Sequence, residues 1–224
     1  TALIALQSFI SNTVFINKNS AIWIAESTLD QMKQKSLMLY GYEENQTDRF
    51  RQQLQLNLTQ HWSSTLQFTW SRHRLSTENA FFLNRNYLVT KWKAAPSITY
   101  LPNRTMRVTL AWQQSSGINA LLSKEKSTAS VWMIDCRTAT PSGGSLQIRY
   151  AVHQIQFPYN ESLVRTPSVY LMLEGLEPGK NQTWSLDYTQ RLPGNIELST
   201  QYEGRTSLQS PVVHTGRLAI RALF

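Results

Sequence analysis

A chain of 224 residues, 41% hydrophobic but only 16% charged, is long enough for one sizeable domain and short for two. It contains no run approaching the roughly 18–20 consecutive apolar residues of a spanning helix, which excludes a helical membrane protein. The net charge of +8 would suit nucleic acid or an anionic surface. Lys and Arg are nevertheless spread along the chain, not gathered on one element, so nucleic acid is not expected as a partner.

The charged fraction lies well under the roughly 25% of an ordinary soluble domain, and Ser, Thr, Gln and Asn fill the gap. Such residues suit a strand face turned to a watery lumen, where a charge would need a partner or solvent. The single cysteine, Cys136, leaves no internal disulfide and no Cys-based metal site, and reads as a small buried hydrophobe. The chain starts Thr1-Ala2-Leu3 with neither an initiator Met nor a cleavage motif, which suggests a piece cut from something longer.

Along the chain, the first 45 residues allow two readings. Phe9 to Ile16, Ala21 to Leu29 and Lys35 to Tyr42 fit three strands, while Leu29 to Met38 also fits a helical turn. From there, period-two segments recur. Residues 48–60 set Phe50, Leu54 and Leu56 against Gln53, Gln55 and Asn57; 64–75 set Leu66, Phe68 and Trp70 against Thr65, Gln67 and Thr69. Residues 86–100 read as a less regular strand, and 104–115 oppose Met106, Val108, Leu110 and Trp112 to Arg107, Thr109 and Gln113. Residues 127–139 are again irregular, and 144–157 oppose Leu146, Ile148, Tyr150 and Val152 to Gln147 and Arg149. A further irregular strand begins at 168–174 and breaks at Gly175 and Pro178; 181–191 and 194–205 resume the alternation. Tight turns fall at Leu101-Pro102-Asn103, Pro141-Ser142-Gly143-Gly144 and Pro193-Gly194-Asn195. Longer connections are expected at 76–84, 116–126, 158–167 and 205–211.

The last strand is the clearest. Gly216, Leu218, Ile220, Ala222 and Phe224 share one face, and Arg217, Ala219, Arg221 and Leu223 the other, with the chain stopping on the aromatic. A wall between lipid and a polar interior needs this two-faced pattern. The segments approach the 9–11 residues of a barrel strand, and Trp70, Tyr87, Trp92, Tyr100, Trp112, Tyr188 and Tyr202 stud their ends like interfacial girdles. The expected fold is therefore all-β: an antiparallel meander of about 10–12 strands, forming a transmembrane β-barrel or the C-terminal part of a larger one. It is expected to be one domain over 1–224, with 1–45 the least defined part. A soluble or surface β-sandwich binding glycan or a protein through exposed aromatics is the alternative.

Four segments together carry a resemblance: Asn84 to Leu88, Leu173-Glu174-Gly175-Leu176-Glu177-Pro178-Gly179-Lys180-Asn181, Tyr202-Glu203-Gly204-Arg205, and the tail ending at Phe224. In their order the chain resembles the C-terminal regions of large, mostly uncharacterised outer-membrane or cell-surface proteins of Bacteroidota. The resemblance runs from about residue 8 to the end. It implies the barrel-forming part of a longer polypeptide and brings no catalytic residues. Asp135 and Cys136 on a wall strand depart from the pattern and leave the register there open.

No catalytic, cofactor or metal site is assigned. His61, His73, His153 and His214 are the only histidines, and no two share a ligand spacing. His214 near Ser210 and Glu203 is the nearest approach to a triad, and reads as exposed polar residues at a loop end. Arg107, Arg149, Arg217 and Arg221 fall on polar strand faces beside Asp187 and Glu197. They make either a basic lumen that attracts anions or a ladder of charges paired across strands. The expected protein is a non-enzymatic scaffold or pore of the outer membrane, acting in transport, secretion or surface assembly. Its expected partners are the lipid bilayer, the barrel-assembly machinery, which would read Gly216, Leu218, Ile220, Ala222 and Phe224 as its signal, and other outer-membrane subunits.

Overall fold

The computed structural model describes residues 5–38, 41–121, 125–140, 143–158, 166–207 and 210–222. Among them eleven strands follow one another: Ala5–Ile16 (β1), Trp23–Met38 (β2), Gly41–Asn57 (β3), Trp62–Thr77 (β4), Tyr87–Tyr100 (β5), Met106–Asn119 (β6), Lys126–Ala139 (β7), Ser145–Gln156 (β8), Gly179–Leu192 (β9), Ile196–Ser207 (β10) and Val213–Ala222 (β11). They pair in chain order into one antiparallel sheet. A sandwich needs two sheets, so that alternative is not what the chain forms. β1 pairs only with β2 and β11 only with β10, and the sheet is not closed.

The register is unbroken in one respect: every cross-strand pair keeps the same two sets of residues on opposite faces. Trp62 meets Tyr100, Leu66 meets Pro96 and Trp70 meets Trp92 on one face, while Ser63, Gln67 and Ser71 meet Thr99, Ala95 and Lys91 on the other. Because side chains alternate strictly, a one-residue slip anywhere would exchange the faces. The β5–β6 ladder skips Ala95 and Pro96 between Ala94↔Gln114 and Ser97↔Ala111, and then resumes in step. Pro96 has no N–H to donate, so the strand tolerates it without a shift of register.

The turns follow from their residues. At one rim the connections are short: 17–22, 58–61, 101–105, 140–144 and 193–195. Gly194 and Asn195 take φ of 82° and 56° between β9 and β10, as a tight reversal requires. Asn103 accepts from the N–H groups of Thr105 (3.0 Å) and Met106 (2.8 Å), closing the turn into β6. The opposite rim carries the two long connections, 78–86 and 157–178, the first including a 3₁₀ turn at Ala80–Arg85, together with shorter ones at 39–40, 120–125 and 208–212.

Four expectations need correction. Residues 29–38 form no helical turn: β2 runs straight through them, so the first 45 residues supply β1, β2 and the start of β3. β6 and β7 extend to Asn119 and from Lys126, into the expected 116–126 loop, and β10 continues through Ser207. The reason is shared. In these stretches polar residues occupy both faces, as with Gln31, Lys33 and Lys35 on one and Asp30, Gln34 and Ser36 around Met32 on the other, so the period-two contrast fades although the strand continues. Fourthly, 168–174 is not a strand. Pro167–Leu173 is a helix (α1), capped by the Thr166 side chain accepting from the Val169 N–H (3.4 Å), with Pro at the start and Glu174 left-handed at φ 54°. Finally, Asp135 and Cys136 keep the common register: Cys136 stands between Val108 and Ile148 on the apolar face, half-buried, and Asp135 faces the other way.

Burial is the reverse of a soluble protein. The face bearing Ser71, Val89, Ser115, Asn119, Ser127, Ala151 and Asn181 is the buried one. The sheet curls about it, since the short segment from Ser168 to Glu177 reaches Lys91 on β5 and Ser207 on β10. The small core, Ile155, Val169 and Leu173 with Ala129, Phe157 and Leu176 beside it, lies under α1 on this concave face. The large apolar side chains are on the convex face, in the open.

Candidate functional site

Two surfaces can act: the convex belt and the strapped concave face. The belt is built by alternate residues of ten strands. It includes Trp23 and Leu29 on β2, Phe50 to Leu56 on β3, Trp62 to Trp70 on β4, Trp92 to Tyr100 on β5 and Met106 to Trp112 on β6. It continues through Trp132 and Ile134 on β7, Leu146 to Val152 on β8, Trp184 to Leu192 on β9, Ile196 to Tyr202 on β10 and Leu218 to Ala222 on β11. Leu66, Ile98 and Leu110 are each 50% exposed and Ile220 68%. An apolar surface continuous over ten strands far exceeds the few hundred Å² that soluble monomers tolerate.

Aromatics mark both limits of the belt. Towards the long connections Trp70 pairs with Trp92, Trp112 with Trp132, and Tyr150 with Trp184. The Trp112 Nε1–H donates to Ser130 Oγ (3.1 Å), so the indole keeps an apolar body and a satisfied polar edge. Towards the short turns lie Trp23, Trp62 and Tyr100, the last two stacked with centroids 4.5 Å apart. Trp62 to Trp70 and Trp92 to Tyr100 each take nine residues, which matches a strand crossing the hydrocarbon of a bilayer at a tilt. Beyond the upper aromatics the convex face turns polar, with Lys33–Glu44 (3.1 Å) and Gln31–Asp48 (3.0 Å) contacts. The belt therefore hugs the short-turn rim, and the strands run well past it on the other side.

One joint in the belt is made by a glycine. Gly204 on β10 faces Trp184 on β9, and a Cβ there would collide with the indole, which lies over the bare backbone. Tyr202 and His214 complete the cluster, the hydroxyl and Nδ1 being 2.7 Å apart and the rings stacked. His214 thus faces outward, whereas Glu203 faces inward and Ser210 donates to Glu177 (2.8 Å). The three are not brought together as a triad. His61 reaches the Leu101 carbonyl (2.8 Å), His73 lies 3.1 Å from Thr47 Oγ1 and His153 3.1 Å from Thr183 Oγ1.

On the concave face, α1 and its flanks form a strap. Lys91 and Lys93 of β5 both bind the Glu174 carboxylate, the latter at 3.5 Å. Burial opposes ionisation of Glu174, but the hydrogen bond from Lys91 and the charges of Lys91 and Lys93 outweigh it and hold the carboxyl below its usual range. At the other end Glu177 accepts from Ser207 (2.6 Å) and Ser210. Between them Ser168 donates to Glu125 (3.4 Å), which also accepts from the buried Asn119 (3.2 Å). A Cβ at Gly117 would meet Ser127 Oγ at 3.0 Å, with Met172 Cγ at an ordinary contact distance of 3.7 Å. The sequence signal for this strap, Thr166-Pro167 followed by Glu174-Gly175, was a helix start and stop.

All four expected arginines lie on the concave face and are exposed. Arg149 binds Asp135 (3.0 Å), which Gln147 also reaches (2.7 Å). Arg107 stands opposite Arg137, a like-charged pair with no ion pair to Arg107 among the described residues. Arg221 faces Glu197, which faces Arg191 on its other side, and Arg217 faces Gln201. The face is part ladder and part uncompensated basic surface. Gly216, Leu218, Ile220 and Ala222 lie on the convex face of β11 as expected; Phe224 and Leu223 lie outside the described residues.

No protein-family model matches this chain, and no curated protein matches its sequence. Among solved structures it is similar to BamA from Haemophilus ducreyi lacking POTRA domains 1–3, with a TM-score of 0.50 at 7% identity over 89% of this chain. The match spans 49% of that BamA chain. The translocator domain of the autotransporter NalP from Neisseria meningitidis is also matched, with a TM-score of 0.44 at 11% identity, over 98% of this chain and 81% of that one. The BamA likeness shows the fold alone: an all-β antiparallel meander of the β-barrel type.

Proposed function

We propose that this chain is the membrane-embedded part of an outer-membrane β-barrel protein, serving as a non-catalytic scaffold in surface assembly or secretion. The observation that carries this reading is the convex belt, bounded by aromatics and backed by a polar, strapped concave face. The fold likeness to BamA supports it at the level of architecture. The strap occupies part of the concave side, which favours a scaffold over a wide open pore. In this reading the bilayer covers the belt, the barrel-assembly machinery inserts the chain by its last strand, and other outer-membrane subunits meet it at the rims. The resemblance to surface proteins of Bacteroidota belongs to the same proposal.

The test is fractionation of cells exporting the protein, followed by extraction. Recovery in the outer membrane, with detergent needed to keep it in solution, is expected. A monodisperse monomer in plain buffer, free of detergent, would overturn the proposal.

A further inference from the structure

Between the strap and the β9–β10 wall lies a cavity of about 490 Å³. That is within the roughly 300–1,000 Å³ of small-molecule sites. One side is apolar: Phe157, Val169, Leu173 and Leu176, the last three being the strap's own contribution. The other side carries Arg205 and Ser207. Arg205 forms no ion pair or side-chain hydrogen bond among the described residues, although Glu177 lines the same cavity. The Glu177 oxygens are instead engaged by the hydroxyls of Ser207 and Ser210. Arg205 also borders a second, polar hollow lined by Thr183, Ser185 and Glu203. A guanidinium with its donors unused, lining both a partly apolar cavity and a polar hollow, is a receptor for one kind of molecule. The apolar body enters under the strap, and the anionic head stays at the wet boundary with two N–H donors available to it.

We propose that this cavity binds a small amphipathic anion, a compact apolar body bearing one carboxylate, with Arg205 holding the head group and Val169, Leu173 and Leu176 the body. The strap is thereby a ligand-binding element as well as a filler. Its Lys91 and Lys93 latch and its Glu177 anchor keep the cavity walls in place from two sides of the sheet.

The test uses 2-naphthoate as the probe, with the protein folded in detergent micelles and empty micelles as the blank. Titration calorimetry and saturation-transfer NMR are expected to show one saturable site. Arg205→Gln should weaken it about tenfold or more, the usual worth of a hydrogen bond to a charged group, and Arg205→Lys should recover part of the loss. The neutral analogue 2-naphthalenemethanol should bind the native protein and Arg205→Gln alike, which separates loss of the charge contact from loss of the fold. Uptake that is linear and equal to that of empty micelles overturns the proposal, and so does saturable binding indifferent to Arg205.

Discussion

Ile148 and Arg149 are chain neighbours that meet different media, and a substitution at each reads out its surroundings. Ile148→Arg places a guanidinium on the belt, where a charge at the bilayer midplane costs about 2–4 kcal/mol. Urea titration of the protein folded in lipid vesicles should show a loss of that size. Arg149→Gln faces inward and removes only an exposed contact to Asp135, so the same titration should barely move. Gly204→Val is expected to be severe for its size, because it drives the Trp184 indole off the backbone it covers. A lower folding yield and a shifted tryptophan emission would register that. Changing Arg107 and Arg149 together to Gln should reduce any preference for anions in planar-bilayer recordings, and unchanged selectivity would mean that these two arginines do not set the potential of the concave face. The alternation that separates the two faces was legible at each of these positions in the sequence. The Gly204–Trp184 contact was not, since it joins residues twenty apart through a register that only pairing fixes.

At the scale of elements, the strands were readable where their two faces meet different solvents and unreadable where both meet water. This is why β3, β4, β6 and β8 to β11 stand out near the belt while the upper halves of β2, β6 and β7 do not. The strap escaped for another reason: α1 has seven residues, too few for a helical period to outweigh a neighbouring strand pattern. Its latch makes it sensitive to acid. Because Lys91 and Lys93 depress the folded-state Glu174 carboxyl, the latch contributes fully above the carboxyl's ordinary range and is lost as pH falls through the lowered value. The protection factors of the Val169 to Leu176 amides, taken relative to the intrinsic exchange rate at each pH, should therefore fall on acidification while those of the β5 amides beneath change less. Glu174→Gln should show the lower protection already at neutral pH, and a strap equally protected in that variant would mean that its apolar contacts alone hold it.

For the whole molecule, the belt's position is as informative as its existence. It abuts the short turns, so in the proposed placement the upper strands and the connections 78–86 and 157–178 stand in water on one side of the bilayer. Vesicles with brominated acyl chains should quench the Trp62 and Trp132 emission, isolated by replacing the other tryptophans with Phe. A collisional quencher confined to the aqueous phase should reach Lys33→Trp far better.

An odd number of alternating strands has an arithmetical result. β1 and β11 point the same way, so zipping one directly to the other would make a parallel seam, with slanted and slightly weaker bonding than any other junction in the sheet. A second upright copy in the same bilayer would offer the same mismatched polarity. An all-antiparallel ring can be completed only by inserting one, three or another uneven tally of staves between those two borders.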